Sequence, residues 1–250
     1  MVDDNVELTS FLKEAFDCKF KNVYVAHNGK EAYQLIKKHS VDIVISDIMM
    51  PEMDGYELCQ KIKSDIECSH LPVILLTAMN EERSKRLGYK MGADAYIAKP
   101  FETATLYEII KSKIKIREDI RNKYMKLSVL PKPQDDTFSR IDENFLISLN
   151  KIIAENISDT SLDIPFVCKE IGMSRASLYN KLKAITGMSC NEYINNIRME
   201  RAEILVKSTT KNFIEIADET GFANSRYFST SFKQHTGMTP TQYRKEHGAK

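Results

Sequence analysis

The sequence predicts an α/β domain with a doubly wound parallel sheet whose first strand is truncated, followed by an all-α domain containing two helix-turn-helix motifs. Three observations point there. Over about the first 125 residues, short apolar runs alternate with helix-period segments. Leu130-Pro-Lys-Pro-Gln-Asp-Asp136 then breaks the helical pattern with two prolines and two acids, as a linker does. After Ile141 only helix signals remain, and Lys183-Ala-Ile-Thr-Gly-Met-Ser189 recurs 50 residues later as Lys233-Gln-His-Thr-Gly-Met-Thr239. A chain of 250 residues has room for two domains with separate cores. The expected boundaries are 1–126 for the first domain, 127–138 for the linker and 139–250 for the second domain.

The strands come first. Val23-Tyr-Val-Ala26, Ile43-Val-Ile45, Val73-Ile-Leu-Leu76 and Ala95-Tyr-Ile-Ala98 are brief, apolar and bounded by polar or turn residues, so they read as buried strands. Helical patterns lie between them. In one, Ala32, Tyr33, Leu35 and Ile36 form the apolar side and Lys37 and Lys38 fall outside it. Such alternation builds right-handed βαβ units and a parallel sheet covered on both faces. From Ala104 a helical pattern runs to about Met125, longer than the sheet requires.

Composition narrows the class. The chain is 42% apolar and 28% charged, ordinary values for a globular protein. Its longest apolar runs are far shorter than the ~20 residues of a membrane span, and acidic Asp3 and Asp4 stand where a signal peptide would be basic and apolar. Five scattered cysteines without a CxxC pair imply reduced thiols, hence a cytoplasmic protein, and neither they nor the dispersed histidines suggest a zinc site. Net charge is only +1, but residues 174–250 carry 12 Lys and Arg against 7 Asp and Glu. A nucleic-acid contact is therefore sought in the last third.

In a doubly wound sheet the functional residues gather at the carboxyl ends of the strands. Those ends carry Asp3 and Asp4, Asp47, Thr77 and Lys99. Three adjacent carboxylates need a proton or a cation between them, and oxygen ligands without His or Cys suit a hard ion such as Mg²⁺. Beside it an aspartate can attack phosphorus. Thr77 can then hydrogen-bond one phosphoryl oxygen and Lys99 can pair with another.

The joint pattern is more specific than any member of it. Asp4 to Asp47 is 43 residues, Asp47 to Thr77 is 30 and Thr77 to Lys99 is 22. With Asp47-Ile-Met-Met-Pro-Glu-Met-Asp-Gly55 and Lys99-Pro100-Phe101, residues 2 to about 118 closely resemble the flavodoxin-like receiver domains of two-component response regulators. The resemblance implies that Asp47 accepts a phosphoryl group from a histidine kinase. It implies a Mg²⁺ site of Asp3, Asp4, Asp47 and the Met49 carbonyl, a switch pair of Thr77 and Tyr96, and a phosphoryl contact from Lys99 before a cis Pro100.

Two features qualify the match. Family members carry about four to six apolar residues before the acidic pair, whereas here only Met1 and Val2 precede Asp3. About four buried apolar side chains are worth roughly 6–12 kcal/mol, comparable with the stability of a whole domain. The expectation is a fragment whose natural start lies upstream, in the style of the cytoplasmic tail of a hybrid sensor; an impaired receiver is the alternative. Met49 and Met79 stand two residues beyond Asp47 and Thr77, where apolar side chains are expected to slow hydrolysis of the phosphoaspartate.

In the second domain, Ile164 to Leu182 has helix-turn-helix grammar. Pro165 suits a first turn, Gly172 a positive φ at the helix end, and Ser174 an N-cap. Leu178, Leu182 and Ile185 pack inward, leaving Ser174, Arg175, Ser177, Asn180 and Lys181 for DNA. In the second unit, Ile214 to Gly221 supports, Phe222-Ala-Asn224 turns, and Tyr227, Phe228 and Phe232 anchor the reading helix. Ser225, Arg226, Ser229, Thr230 and Lys233 are left exposed. An amphipathic helix from Glu192 to about Lys207 joins the two units.

These two units, together with Gly221-Phe222 and Thr236-Gly-Met-Thr-Pro-Thr-Gln-Tyr-Arg244, closely resemble the AraC/XylS class of transcription regulators over about residues 141–247. The resemblance implies reading helices in successive major-groove segments ~34 Å apart. Only Arg226 and Lys233 are basic in the second reader, so modest monomer affinity, strong salt dependence and dimeric binding at repeated sites are expected. The whole reads as a bacterial, non-enzymatic, phosphorylation-controlled regulator of double-stranded promoter DNA. It would be a homodimer when active, with RNA polymerase as a further partner and no membrane contact from this segment. The alternatives are a constitutive DNA-binding fragment with a non-signalling receiver, a phosphotransfer module acting through protein contacts, and a phosphatase using Asp47.

Overall fold

The computed structural model describes residues 1–78, 92–127 and 139–248, with backbone alone at 123–127. The expected linker, apart from Leu127, and Met79 lie outside the described residues. The chain divides into two compact units, Met1–Asp119 and Ile120–Lys250.

In the first unit the order is α1 (Val6–Asp17), α2 (Gly29–Lys38), β1 (Val44–Asp47), α3 (Gly55–Ser64), β2 (Val73–Ala78), β3 (Ala95–Lys99) and α4 (Thr103–Leu127), the helix crossing the unit boundary. The strands pair in parallel in the order β1-β2-β3, with Val44 opposite Val73 and Ile74 opposite Ala95. Val2 extends the sheet by single parallel bridges to Ala26 and Ser46. Its N–H donates to the Ile45 carbonyl at 2.8 Å, and its own carbonyl accepts from Asp47 N–H at 2.8 Å. On the other side Ala26 N–H donates to the Met1 carbonyl at 2.9 Å. The expected strand at Val23–Ala26 is thus reduced to a bridge at Ala26, because its neighbour in the sheet offers ladder partners only over Met1–Asp3.

Alternation along β2 sends its side chains to two cores. Val73 and Leu75 meet Leu58, Cys59 and Ile62 of α3, while Ile74 and Leu76 meet Leu12 and Phe16 of α1 and Leu106 and Ile110 of α4. Both faces are covered, which is why the strand reads as one unbroken apolar run. Asn5, Asn28 and Asp54 cap α1, α2 and α3, the last in a capping box with Glu57.

The described part of the second unit is helical: α5 (Arg140–Glu155), α6 (Ile164–Ile171), α7 (Arg175–Thr186), α8 (Cys190–Ser208), α9 (Phe213–Glu219), α10 (Ser225–Thr236) and α11 (Pro240–His247). Two cores share α8. Its first half contributes Cys190, Tyr193 and Ile194 to a cluster with Phe145, Leu146, Leu178 and Leu182. Its second half contributes Met199, Ala202, Leu205 and Val206 to a cluster with Ile216, Phe222, Phe228 and Phe232. Each half therefore carries one helix pair, α6–α7 or α9–α10. Gly172 and Gly221 take left-handed φ values of 70° and 72° at the two turns. Ser174 and Asn224 then cap α7 and α10. All five cysteines are free, and no described helix is long and apolar enough to cross a membrane.

Candidate functional site

Asp47 ends β1, Lys99 ends β3, Thr77 is the penultimate residue of β2, and Asp3 follows the bridging Val2. Parallel pairing brings all four to the carboxyl edge of one sheet. The Lys99 ammonium joins two of them, at 2.7 Å from Asp3 Oδ2 and 2.6 Å from Asp47 Oδ1. The remaining carboxylate oxygens are held by backbone. Asp3 Oδ1 accepts from Asn5 N–H at 2.9 Å, and Asp47 Oδ2 accepts from Met49 N–H at 2.8 Å. Burial opposes the charge on Lys99, but hydrogen bonds to Asp3 and Asp47 outweigh it and hold its pKa above the usual lysine value.

The surrounding geometry keeps Asp47 in place. A Cβ at Gly55 would stand 2.2 Å from the Asp47 carbonyl oxygen, so the loop returning past the site tolerates only glycine. The Thr77 hydroxyl donates to the Ala78 carbonyl at 3.2 Å and is buried with its residue. Tyr96 is half-buried opposite Leu75, two positions before Ala98, which faces Thr77. The Lys99–Pro100 peptide is cis. Met49 stands at the rim with 76% of its surface exposed.

Asp4 does not join this cluster. It is exposed, and no group of three or more His, Cys, Asp or Glu side chains gathers closely enough for a metal ion among the described residues. Oxygen is nevertheless the donor that Asp3 and Asp47 offer, and both carboxylates already attend one cation, the Lys99 ammonium. That chemistry fits a hard divalent ion.

In the second unit the outer side of α7 presents Arg175 and Asn180, exposed, with Ser177 half-buried. Ser174 is engaged as the N-cap, accepting from Ser177 N–H at 3.1 Å. Lys181 overturns the sequence expectation. It is fully buried and ion-paired to Asp142 of α5, with its ammonium 5.3 Å from the Phe145 ring centroid. Position 181 lies three residues from Leu178 and four before Ile185, so helical periodicity sets it on the inner face. That spacing was the signal available in the sequence. The outer place is taken by Tyr179, 47% exposed and four residues beyond Arg175, which sequence reasoning missed.

On α10, Ser225, Arg226, Ser229, Thr230 and Lys233 line one open groove with Gln234 and Thr239. Arg226, Thr230 and Lys233 are exposed. The Ser229 and Thr230 hydroxyls donate to the carbonyls of Ser225 and Arg226, four residues back, at 2.8 and 3.0 Å. Phe228 and Phe232 are buried anchors, as expected. Tyr227 is not: its ring centroid lies 5.9 Å from that of Phe222, yet 59% of the residue is exposed. Its place next to Phe228 turns it off the inner stripe.

Comparison with known proteins agrees with both halves. Residues 1–111 match the family described as response regulator receiver domain, and residues 167–246 match a helix-turn-helix domain family. The chain therefore carries a response regulator receiver domain of two-component signalling. More narrowly, that receiver is joined to an AraC-type helix-turn-helix domain. Over 243 residues, 97% of this chain, it is 37% identical to "Histidine kinase P4" of Formosa agariphila, and spans 18% of that relative's length. It is 40% identical over 120 residues to the uncharacterized transcriptional regulatory protein YclJ of Bacillus subtilis, covering 46% of this chain and 49% of the relative. The solved C-terminal domain of AraT, a response regulator from Geobacillus stearothermophilus, is 30% identical, with a TM-score of 0.40 over 42% of this chain and 88% of that one.

Proposed function

We propose that this chain accepts a phosphoryl group on Asp47 from a histidine kinase and, in that state, binds promoter DNA through α7 and α10. The observation that carries the reading is the Lys99 ammonium bridging Asp3 and Asp47 at the carboxyl edge of the sheet. An Asp47 carboxylate oxygen attacks phosphorus, an O–P bond forms, and the P–N bond to the kinase imidazole breaks, the ring leaving with a proton. Lys99, already within reach of Asp47, pairs with a phosphoryl oxygen. Asp3, Asp4, Asp47 and the Met49 carbonyl would hold Mg²⁺, which when bound screens the phosphoryl charge. For this the exposed Asp4 side chain turns inward.

Once an oxygen acceptor stands on Asp47, the Thr77 hydroxyl has a stronger partner than the Ala78 carbonyl at 3.2 Å. Its movement frees space that the Tyr96 ring occupies, shifting the receiver between two states. Asp47 is a stoichiometric acceptor in this scheme, and the chain turns over no substrate. The kinase relative covering 97% of this chain supports a histidine kinase as donor, in the same parent chain or a separate one. DNA as the partner puts the site of action in the bacterial cytoplasm. Arg175, Asn180, Arg226 and Lys233 are the contacts expected to matter most, with Ser174, Ser177, Ser225, Ser229 and Thr230 as polar neighbours. The active form is a homodimer, whose paired weak sites gain from effective concentration, and RNA polymerase is the downstream partner.

The test is binding to the upstream promoter region, by anisotropy, with and without beryllofluoride and Mg²⁺, for the chain and Asp47→Ala. Tighter binding with the phosphoryl mimic, absent in Asp47→Ala, is the expected result. Specific binding indifferent to both would leave a constitutive DNA-binding protein.

A further inference from the structure

The second unit has one contact whose position is unusual: Arg198 lies where the two cores of α8 meet. Ile197 packs against the first cluster and Met199 belongs to the second. The Arg198 side chain reaches both halves. One guanidinium nitrogen, Nη2, donates to the Asp159 carbonyl at 2.7 Å, in the loop between α5 and α6. The guanidinium carbon stands 6.0 Å from the centroid of the Phe222 ring, in the turn before α10. Its Nε is buried without a hydrogen-bond partner, so the group is held here against a desolvation cost that also lowers its pKa. The backbone is shaped around it. A Cβ at Gly221 would meet the Ile157 carbonyl at 2.3 Å and Arg198 Nη2 at 2.6 Å.

The turn of the second helix pair therefore rests directly on the loop that leads into the first, with Arg198 fastened between them. Without that contact the link between the pairs would fall chiefly to α8, which packs against both. A helix of 19 residues is about 28 Å long, and a tilt of about 10° displaces its far end by about 5 Å. Successive bases of one strand are only about 3.4 Å apart. Angular freedom of that size is enough to let a second reading helix slip by a base step.

We propose that Arg198 is a positioning residue that fixes the relative setting of α7 and α10, and so determines the spacer length of the bipartite DNA site. The inference rests on the reading of both helices as DNA readers. The experiment begins with selection of random duplexes by the full chain, which yields its two half-elements and preferred spacer. Anisotropy is then measured on duplexes with spacers one and two base pairs shorter and longer, for wild type, Arg198→Ala and Arg198→Lys. Wild type is expected to favour one spacer at least tenfold. Both variants are expected to bind the best duplex several-fold more weakly and to flatten the spacer preference to within about threefold, with base preferences inside each half-element unchanged. Arg198→Lys keeps the charge but not the fork, and decides the matter if Arg198→Ala does not fold. A spacer preference as sharp as wild type in the folded variants, or an equal loss at every spacer, overturns the role of Arg198 alone. Failure of wild type to select any bipartite sequence overturns the DNA-reading assignment and this inference with it.

Discussion

Lys181 on α7 is paired with Asp142 on α5 in the fully buried interior of the second unit. The pair ties α7 to α5. Removing one member deprives the other buried charge of its ion pair, whereas replacing both with apolar groups does not. Lys181→Met and Asp142→Asn are each expected to lose about 3–5 kcal/mol in urea unfolding. The double variant Asp142→Leu/Lys181→Met, compared with Lys181→Met and a matching Asp142→Leu single, should recover most of that, giving a large coupling in the cycle. Additive losses would show that the pair is not the unit of stability.

The same residues show what was legible in the sequence. β2 could be read because both faces of Val73–Leu76 are buried, so its apolar run is unbroken. The cluster of Asp3, Asp47 and Lys99 could be read because strand ends in a parallel sheet meet by topology. Lys181 was misplaced because its charge suggested solvent, although its spacing from Leu178 and Ile185 put it inside. Its partner lies 39 residues upstream, and no local pattern marks such a pairing. Tyr227 is exposed where the sequence suggests an anchor, and Tyr179 receives no role from the sequence, for the complementary reason: amphipathic rings are accommodated on either face. The brace from Arg198 to Asp159 depends on side-chain reach across two subdomains, which periodicity does not encode.

Lys99 holds two carboxylates close enough to share one nitrogen, and 29% of its side chain is exposed. Lys99→Met leaves Asp3 and Asp47 facing each other without a cation, and like charges in one site repel. The receiver transition is expected to fall by about 1.5–3 kcal/mol in Mg²⁺-free buffer. Added millimolar Mg²⁺ should restore the variant more than it stabilises wild type, as followed by calorimetry. An equal response of both proteins would argue against a cation site at these carboxylates.

A second ion-pair group, away from that site, sets a pH dependence. Asp65 is lowered to about 2: burial raises its pKa, but hydrogen bonds from Lys37, Tyr33 and the Glu67 backbone outweigh it. The folded-state value lies below the ordinary 3.8. Stability from this group is therefore fully present above about pH 4 and is lost as pH falls through about 2. Asp65→Asn should cost about 2 kcal/mol at pH 7. The gap from wild type should close as pH drops from about 4 towards 2. A gap constant across that range would mean that Asp65 carries no special charge stabilisation.

Met49 presents an apolar side chain at the rim, while its N–H is committed to Asp47 Oδ2. A thioether orients water poorly, and a carboxylate or carboxamide does so well. Met49→Glu and Met49→Asn are expected to shorten the lifetime of the phosphorylated chain several-fold, followed as loss of the retarded band on a phosphate-affinity gel. An unchanged lifetime would remove Met49 from the control of hydrolysis.

The second reading helix separates two kinds of polar contact. Arg226 and Lys233 are exposed cations, so each phosphate contact they make releases counterions. Arg226→Ala and Lys233→Ala should each reduce the slope of log affinity against log salt by about 1. Ser229 and Thr230 have already given their hydroxyl protons to the helix carbonyls four residues back. Donating to a phosphate means breaking that bond first, so the net gain is small. Ser229→Ala and Thr230→Ala are expected to change affinity by no more than about threefold and to leave the salt slope unaltered. A large loss in either would mean that the hydroxyls turn outward on DNA, and that the reading helix relies on them rather than on its two cations.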